Sequence, residues 1–480
     1  MSTPVSVPVS LPPAWVVPSY AVAAELATAP RLVVLDDDPT GTQTVADLPV
    51  LTSWSVADLR WALRQPTPAF FVLTNTRSLS PEAAADRDRE VIRALHEAAG
   101  AEGVAFVPAS RSDSTLRGHF PLETDVLAQE LAALGTGAPD GVLLVPAYIE
   151  AGRVTIDSRH WIRTPEGLLP VGESEFARDT TFGYRSSSLP EWVEEKTGGR
   201  VPAAEVLRIT LDDLRGGGPT RVTALLASLC DGRVAVADAE CDDDLRVLAL
   251  AAARAERAGT RLLYRVGPSF VRARAGQQRR PPLTSGELRS SRAELAESAG
   301  GAAPHGLIVV GSHVSVTTRQ LDRLRESGGI SEFELSVPLL LDPDLSGAHL
   351  TDVIDAAVRA LDSADVVLRT SRVLVTGEDP QDSLAISRRV SAALAEAVRR
   401  ITGARRPAFV VAKGGITSSD TATHGLGIGR AWARGTLLPG IVSLWEPVDG
   451  PAAGIPYVVF AGNVGDDDAL TDVTALLRAS

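Results

Sequence analysis

The chain alternates short, unbroken apolar runs with longer stretches whose apolar positions recur at helical spacing. Arg31-Leu32-Val33-Val34-Leu35, Phe70-Phe71-Val72-Leu73 and Val104-Ala105-Phe106-Val107-Pro108 read as buried strands, followed by 141–145, 233–237 and 261–266. Helices are predicted from Glu82 to Ala98, after a Ser80-Pro81 start, and from Leu122 to Leu134, with an acidic helix start at Asp242-Asp243-Asp244. Continuous apolar strands separated by helices predict a parallel sheet covered on both faces. The turn- and aromatic-rich region 150–200 reads as an insertion that shapes or lids a site. Over 275–305 the composition shifts to Gln, Arg, Pro, Ser, Glu and Gly, which predicts a linker with an exposed helix. A second α/β pattern then opens at Gly306-Leu307-Ile308-Val309-Val310, with strands at 365–368 and 408–411 and a helix from Asp379 to Arg399. The expected fold class is therefore α/β with two domains, each a mostly parallel sheet covered by helices, and the active site in the cleft between them. The boundaries expected are a loose Pro-rich lead-in over 1–28, a first domain over 29–274, the linker over 275–305 and a second domain over 306–480.

Polar residues gather where the apolar runs end. Asp36-Asp37-Asp38-Pro39-Thr40-Gly41 stacks carboxylates and hydroxyls just past the first strand, at the end of an open α/β sheet where ligands bind. Adjacent aspartates repel unless a cation or a proton-bearing hydroxyl sits among them; the alternative is an acidic solvated turn with Asp as a helix cap. Asn75-Thr76-Arg77-Ser78 follows the second run, and Arg111-Ser112-Asp113-Ser114-Thr115-Leu116-Arg117-Gly118-His119 the third. Arginine forks and small hydroxyls in one loop suit a carboxylate or phosphate. The second domain repeats the arrangement with Gly311-Ser312-His313 and with Lys413-Gly414-Gly415-Ile416-Thr417-Ser418. Glycines there let backbone N–H groups approach a phosphate, or they mark only a tight turn. No G-x-x-x-x-G-K-[ST] loop occurs.

Composition narrows the field. At 480 residues and 44% hydrophobic content the chain can bury more than one core. A net charge of −13 argues against nucleic acid as a partner. No apolar run of membrane-spanning length and no secretory start is found, and Cys230 and Cys241 fit neither a disulfide framework nor a zinc pattern, so a cytoplasmic protein is expected. The basic residues are arginines apart from Lys196 and Lys413, which makes Lys413 stand out at the end of its strand.

Asp37-Asp38-Pro39-Thr40-Gly41, Asn75-Thr76-Arg77-Ser78 and Asp113-Ser114-Thr115-Leu116-Arg117-Gly118 resemble the substrate-domain motifs of the four-carbon acid sugar kinases, which act on threonate, erythronate and 3-oxo-tetronate. The resemblance continues through Pro146-Ala147-Tyr148, Gly152-Arg153 and Glu175–Asp179, in order along most of the chain. It implies ATP and Mg²⁺ as cofactors and nucleotide contacts at Ser312, Gly414, Gly415, Ile416, Thr417 and Gly462. One departure stands out. Many members carry Lys-Ser-Gly-x-Phe-Gly near the C-terminus, where this chain has Phe460-Ala461-Gly462-Asn463-Val464-Gly465. Lys413 or an arginine would then supply the missing charge, or the transferable group is handled differently. Thr180–Arg185 also departs from the familiar members, so no particular substrate carries over.

These readings together predict ATP-dependent phosphorylation of a hydroxyl on a small sugar acid. Asp37 or Asp38 accepts or orients the hydroxyl, and the other polarises the substrate or helps hold Mg²⁺; no residue is assigned as a resident metal ligand. Asp37, Thr40, Arg77, Asp113, Ser114, Thr115 and Arg117 hold the acid sugar. Lys413 adds charge beside the phosphates. The alternatives are a non-catalytic sensor of sugar acid and nucleotide, and a metal-dependent hydrolase or aldolase built on Asp36–Asp38. The oligomeric state stays open, with a homodimer as the arrangement considered.

Overall fold

The computed structural model describes residues 11–289, 303–372, 375 and 380–480. The chain divides into two compact units, Met1–Arg280 and Pro281–Ser480.

Among the described residues, the first unit is built on eight parallel strands in the order β2-β3-β1-β4-β11-β5-β10-β9. These are β1 (Arg31–Asp36), β2 (Leu48–Leu51), β3 (Ala69–Leu73), β4 (Phe106–Arg111), β5 (Gly141–Val145), β9 (Leu207–Ile209), β10 (Arg233–Ala237) and β11 (Leu262–Val266). The intervening β6 (Arg153–Ile156), β7 (Arg159–Thr164) and β8 (Gly167–Pro170) form a separate antiparallel sheet within the expected insertion. Near-continuous Val, Leu and Phe suits strands covered on both faces. The helix Pro81–Glu102 starts at Ser80, whose hydroxyl caps Ala83 N–H, and ends at Gly103 with φ of 66°. Its stripe Val91, Ile92, Leu95, Ala98 and Ala99 buries against Val33, Leu35, Phe70 and Val72.

Two expectations shift. The strand expected over 104–108 runs from Phe106 to Arg111, so it carries Arg111 inside the sheet. Pro108 lacks an N–H and costs the ladder one donor, yet Ala109 and Ser110 continue the pairing with β1. The lead-in expected over 1–28 includes a helix, Ser19–Leu26, that buries Val22 and Leu26, while 1–10 lie outside the described residues.

Among the described residues, the second unit has seven strands in the order β13-β14-β12-β15-β18-β17-β16. They are β12 (Leu307–Val310), β13 (Ile330–Leu335), β14 (Asp365–Thr370), β15 (Val410–Lys413), β16 (Arg430–Leu438), β17 (Val442–Pro447) and β18 (Tyr457–Phe460). The first five in sheet order pair in parallel, and β17 and β16 follow antiparallel. Ile308, Val310, Val411, Val458 and Phe460 pack against Leu321 and Leu324 of the helix Ser315–Ser327 and Val473 and Leu477 of the helix Ala469–Arg478. The helix expected over 379–399 runs Pro380–Ala404, with 379 outside the described residues. Residues 290–302 of the expected linker lie outside them as well.

Candidate active site

In the first unit, sheet register sets the site. Asp36 on β1 is level with Leu73 of β3 and Arg111 of β4, and Arg111 is level with Val266 of β11. The loops after β1, β3 and β4 therefore leave the sheet side by side, at the carboxyl ends where an open α/β sheet binds ligands.

Arg111 organises the acidic loop. Its Nε lies 2.5 Å from Asp36 Oδ1, Nη1 3.4 Å from Asp37 Oδ1, and Nη2 2.8 Å from Asp38 Oδ1, so one buried guanidinium joins all three aspartates. Arg77 adds a second cation, pairing with Asp38 and reaching Asp113 Oδ1 at 3.6 Å. Asp38 also caps its own turn by accepting from Thr40 N–H at 2.8 Å. Gly41 is required beside this cluster: a Cβ there would fall 2.1 Å from Asp36 Oδ2 and 2.5 Å from Arg111 Nε.

Burial sets the charge states. It pushes Asp36 up to about 7 against the pull of Arg111, and it raises Asp37 against Arg77 and Arg111. Asp37 Oδ2 is buried with no hydrogen-bond partner, whereas the Asp38 side chain keeps 18% of its surface exposed. Asp113 goes the other way. Burial favours its neutral form, but Arg77, Arg117 and the Thr115 hydroxyl outweigh that and hold the carboxyl well below the usual range. Arg117 Nε lies 2.7 Å from Asp113 Oδ2, and Arg117 Nη1 3.5 Å from Asp179.

The 113–117 loop is fastened from below and from the side. Glu123, in the first turn of the helix Leu122–Ala133, accepts from Thr76 Oγ1 at 2.7 Å and Ser110 Oγ at 3.1 Å, tying the loop after β3 to β4. Buried His160 on β7 accepts or donates at Thr155 Oγ1 (2.9 Å) and contacts the Ser114 carbonyl with Nε2 (2.7 Å); burial holds it down to about 4, so it is neutral and Nε2–H donates. Tyr184 Oη donates to the Thr115 carbonyl at 2.6 Å. The insertion thus shapes the loop through three attachments, at Ser114, Thr115 and Arg117.

The structure brings Asp37, Asp38, Thr40, Arg77, Asp113, Thr115 and Arg117 into one connected network. Ser114 joins through its backbone carbonyl. Arg111, Glu123 and Arg265 were not among the expected site residues. Arg265 is a buried guanidinium on β11, 5.3 Å from the centroids of both Phe120 and Trp192, whose Nη2 donates to the Arg117 carbonyl at 3.4 Å. The available signal was an arginine inside an apolar run, which a core strand does not hold without reason.

The carboxylates of Asp36, Asp37 and Asp38 lie close enough to grip a cation. Arg111 and Arg77 already neutralise them, so a resident dication would have to displace a guanidinium. These residues do not fit a resident metal. A second acidic group, Glu240, Cys241 and Asp244, is likewise occupied by Arg215, 2.8 Å from Asp244 Oδ2 and 2.9 Å from Glu240 Oε2.

In the second unit, Val310, Lys413 and Phe460 are register neighbours across β12, β15 and β18. The residues just past them converge. A Cβ on Gly414, which has φ of 125°, would lie 3.0 Å from Thr417 Oγ1 and 3.2 Å from Ser312 Cβ; one on Gly462 would lie 2.5 Å from Ser312 Oγ. Only glycine allows this approach. Thr317 Oγ1 closes the cluster, donating to the Gly462 carbonyl at 2.9 Å. Beside it opens a cavity of about 210 Å³ with an apolar wall of Val337, Ile386, Val390, Leu394 and Ile416, and Thr417 at its edge. A flat aromatic base suits such a wall.

Lys413 is placed differently from the expectation. Its amine is fully buried, donating to the carbonyls of Ala461 (2.8 Å) and Val464 (3.3 Å) and sitting 3.6 Å from the centroid of Phe460. Burial pulls it down to about 6. It faces the turn rather than open space because the strand points its side chain into the core. The resembling kinases carry their lysine at the position of Phe460, the register partner of Lys413. In this chain an amine reaches the same turn from the neighbouring strand.

A family model described as a sugar-binding N-terminal domain matches residues 32–274, and one described as a nucleotide-binding C-terminal domain matches 307–470. The two matches define a protein of two domains, one of the sugar-binding and one of the nucleotide-binding type. The chain belongs to the four-carbon acid sugar kinase family. It is 28% identical over 459 residues to a D-threonate kinase of Bordetella bronchiseptica, covering 94% of this chain and 98% of the relative. Two solved structures share the fold. One is a Salmonella typhimurium LT2 protein described as a candidate tRNA synthase, with a TM-score of 0.65 at 18% identity, covering 92% of this chain and 98% of its own. The other is a Haemophilus influenzae protein, with a TM-score of 0.61 at 17% identity, covering 93% and 100%. Among the described residues, no helix is long and apolar enough to cross a membrane.

Proposed function

We propose that the protein transfers the terminal phosphoryl group of ATP to a hydroxyl of a four-carbon sugar acid. One observation carries this reading: each matched domain presents, at the carboxyl ends of its strands, a loop cluster chemically suited to the ligand its family description names. Phosphoryl transfer needs positioning and charge neutralisation more than covalent chemistry.

In this proposal Asp38 orients the acceptor hydroxyl. It is the aspartate of the acidic loop whose carboxylate keeps exposed surface, whereas Asp37 Oδ2 is sealed behind it. A carboxylate fastened by Arg77 and Arg111 is a weak base, so Asp38 takes the proton late, as the hydroxyl oxygen gains its bond to phosphorus. Arg77 and Arg117, cross-linked through Asp113, receive the sugar carboxylate, and Thr40 and Thr115 offer hydroxyls to the sugar. Ser312, Gly414, Gly415, Thr417 and Gly462 receive the nucleotide, with Ile416 against the base. Mg²⁺ would belong to the ATP substrate, where it would offset phosphate charge.

The test is ADP release from ATP and Mg²⁺ with threonate, erythronate, 3-oxo-tetronate and longer aldonates. Turnover on a four-carbon member supports the reading and names the substrate. ATP binding with silence across the panel overturns the four-carbon assignment and favours the sensor.

A further inference from the structure

A triphosphate demands positive charge, and the cations around the nucleotide loops are mostly committed. Lys413 is spent on the carbonyls of Ala461 and Val464. Arg319 pairs with Asp467 at 2.7 Å. Arg369 on β14 is held by Glu332 and by Glu334 at 2.5 Å.

Arg372 differs. It follows the end of β14, the sheet neighbour of β12, and its guanidinium lies along the loop that leaves β12. Nη1 donates to the Ser312 carbonyl, and Nη2 to Thr318 Oγ1 at 2.6 Å. Nε is buried without a hydrogen-bond partner. No carboxylate pairs with it among the described residues. Burial destabilises its charged form, Arg369 and Arg325 add to that, and the more distant carboxylates of Asp322 and Glu332 offset only part of it. A half-buried cation without a counter-ion is costly unless an anion completes it. The two bonds it makes use one N–H on each terminal nitrogen, leaving the second N–H of each for an acceptor. That is the fork by which arginine grips phosphate oxygens.

We propose that Arg372 binds the phosphate oxygens of a nucleoside polyphosphate and supplies the charge that Lys413, turned into the core, does not. This rests on the nucleotide reading of the Ser312–Gly414–Gly462 cluster. Arg372 is fixed to that cluster through the carbonyl of Ser312, so the loop and the cation move as one.

The test is calorimetric titration of the full-length protein and its Arg372→Met and Arg372→Gln variants with ATP, ADP and adenosine. Both variants are expected to lose roughly tenfold to a hundredfold in ATP and ADP affinity, the value of one charge-assisted phosphate contact, with adenosine affinity unchanged within about twofold. Equal weakening of ATP and adenosine would overturn the proposal, because it would mark Arg372 as a prop for the pocket. Unchanged ATP affinity in a folded variant would overturn it too. Wild-type protein that binds neither ATP nor adenosine would instead bring down the nucleotide reading itself, so the two failures are told apart. If the methionine variant does not fold, the glutamine variant, which keeps a donor near Thr318, decides.

Discussion

Replacing Arg111 with methionine removes the cation shared by Asp36, Asp37 and Asp38 while keeping an unbranched side chain of similar reach. The three contacts are 2.5, 3.4 and 2.8 Å, and both Arg111 and Asp36 are 2% exposed. Removing one partner of such a buried pair costs about 3–5 kcal/mol, because the remaining charge is left uncompensated in a poor dielectric. That is a large part of the ~5–15 kcal/mol by which a domain is stable. The deficit depends on pH. Asp36 has an ordinary value of 3.8 and a folded value of about 7, so its burial favours the fold at low pH and that contribution is lost as pH rises through 7. Without Arg111 the folded value climbs further. The carboxyls then accept protons at pH 5 and relieve much of the penalty, while at pH 8 protonation relieves less of it.

The assay is hydrogen exchange read by mass spectrometry on peptides from β1 and β4 in the intact chain, which reports opening of this region without assuming that both units unfold together. The variant should open more easily by about 3–5 kcal/mol at pH 8 and by clearly less at pH 5. A deficit under about 1 kcal/mol at pH 8, or one independent of pH, would refute the role given to Arg111.

Other predictions follow from the same geometry. Asp38→Asn should lower kcat by about a hundredfold or more with the KM for ATP unchanged, in steady-state kinetics, since it removes an oriented proton acceptor. Tyr184→Phe deletes the 2.6 Å bond to the Thr115 carbonyl and should raise the KM for the sugar acid several-fold without moving the KM for ATP; stability should fall by about 1 kcal/mol in urea melts. Lys413→Met should change the pH profile of stability. The wild-type amine, lowered from 10.5 to about 6, binds fewer protons folded than unfolded, so wild type gains on the variant as pH rises from 6 towards 10.5. Parallel melting curves from pH 6 to 9 would contradict its buried placement.

Much of the sheet was legible in the sequence, because strands buried on both faces are runs of Val, Leu and Phe that no other element uses at that length. Gly141–Val145 and Arg233–Ala237 fall where the runs do. The strand carrying Arg111 was cut short at Pro108, since proline and the polar residues after it look like an exit from the sheet. Here their polarity is satisfied by Asp36, Asp37 and Glu123, partners distant in sequence. The β16–β17 hairpin escaped for a related reason: Arg430–Leu438 mixes polar and apolar positions along the strand. The acidic and arginine loops were visible as clusters, but which cation meets which carboxylate depends on sheet register. Lys413 shows the limit most plainly. Its place at a strand end suggested a phosphate contact, and only the alternation of side chains along β15 turns it towards Phe460 and the core.

The most direct test of the central claim is to follow the γ-phosphate by ³¹P NMR during incubation of the protein with ATP, Mg²⁺ and a four-carbon sugar acid. The account predicts a phosphomonoester resonance on the sugar acid growing in step with ADP, and lost in Asp38→Asn. Release of inorganic phosphate alone, or persistence of ATP while it is demonstrably bound, would contradict it.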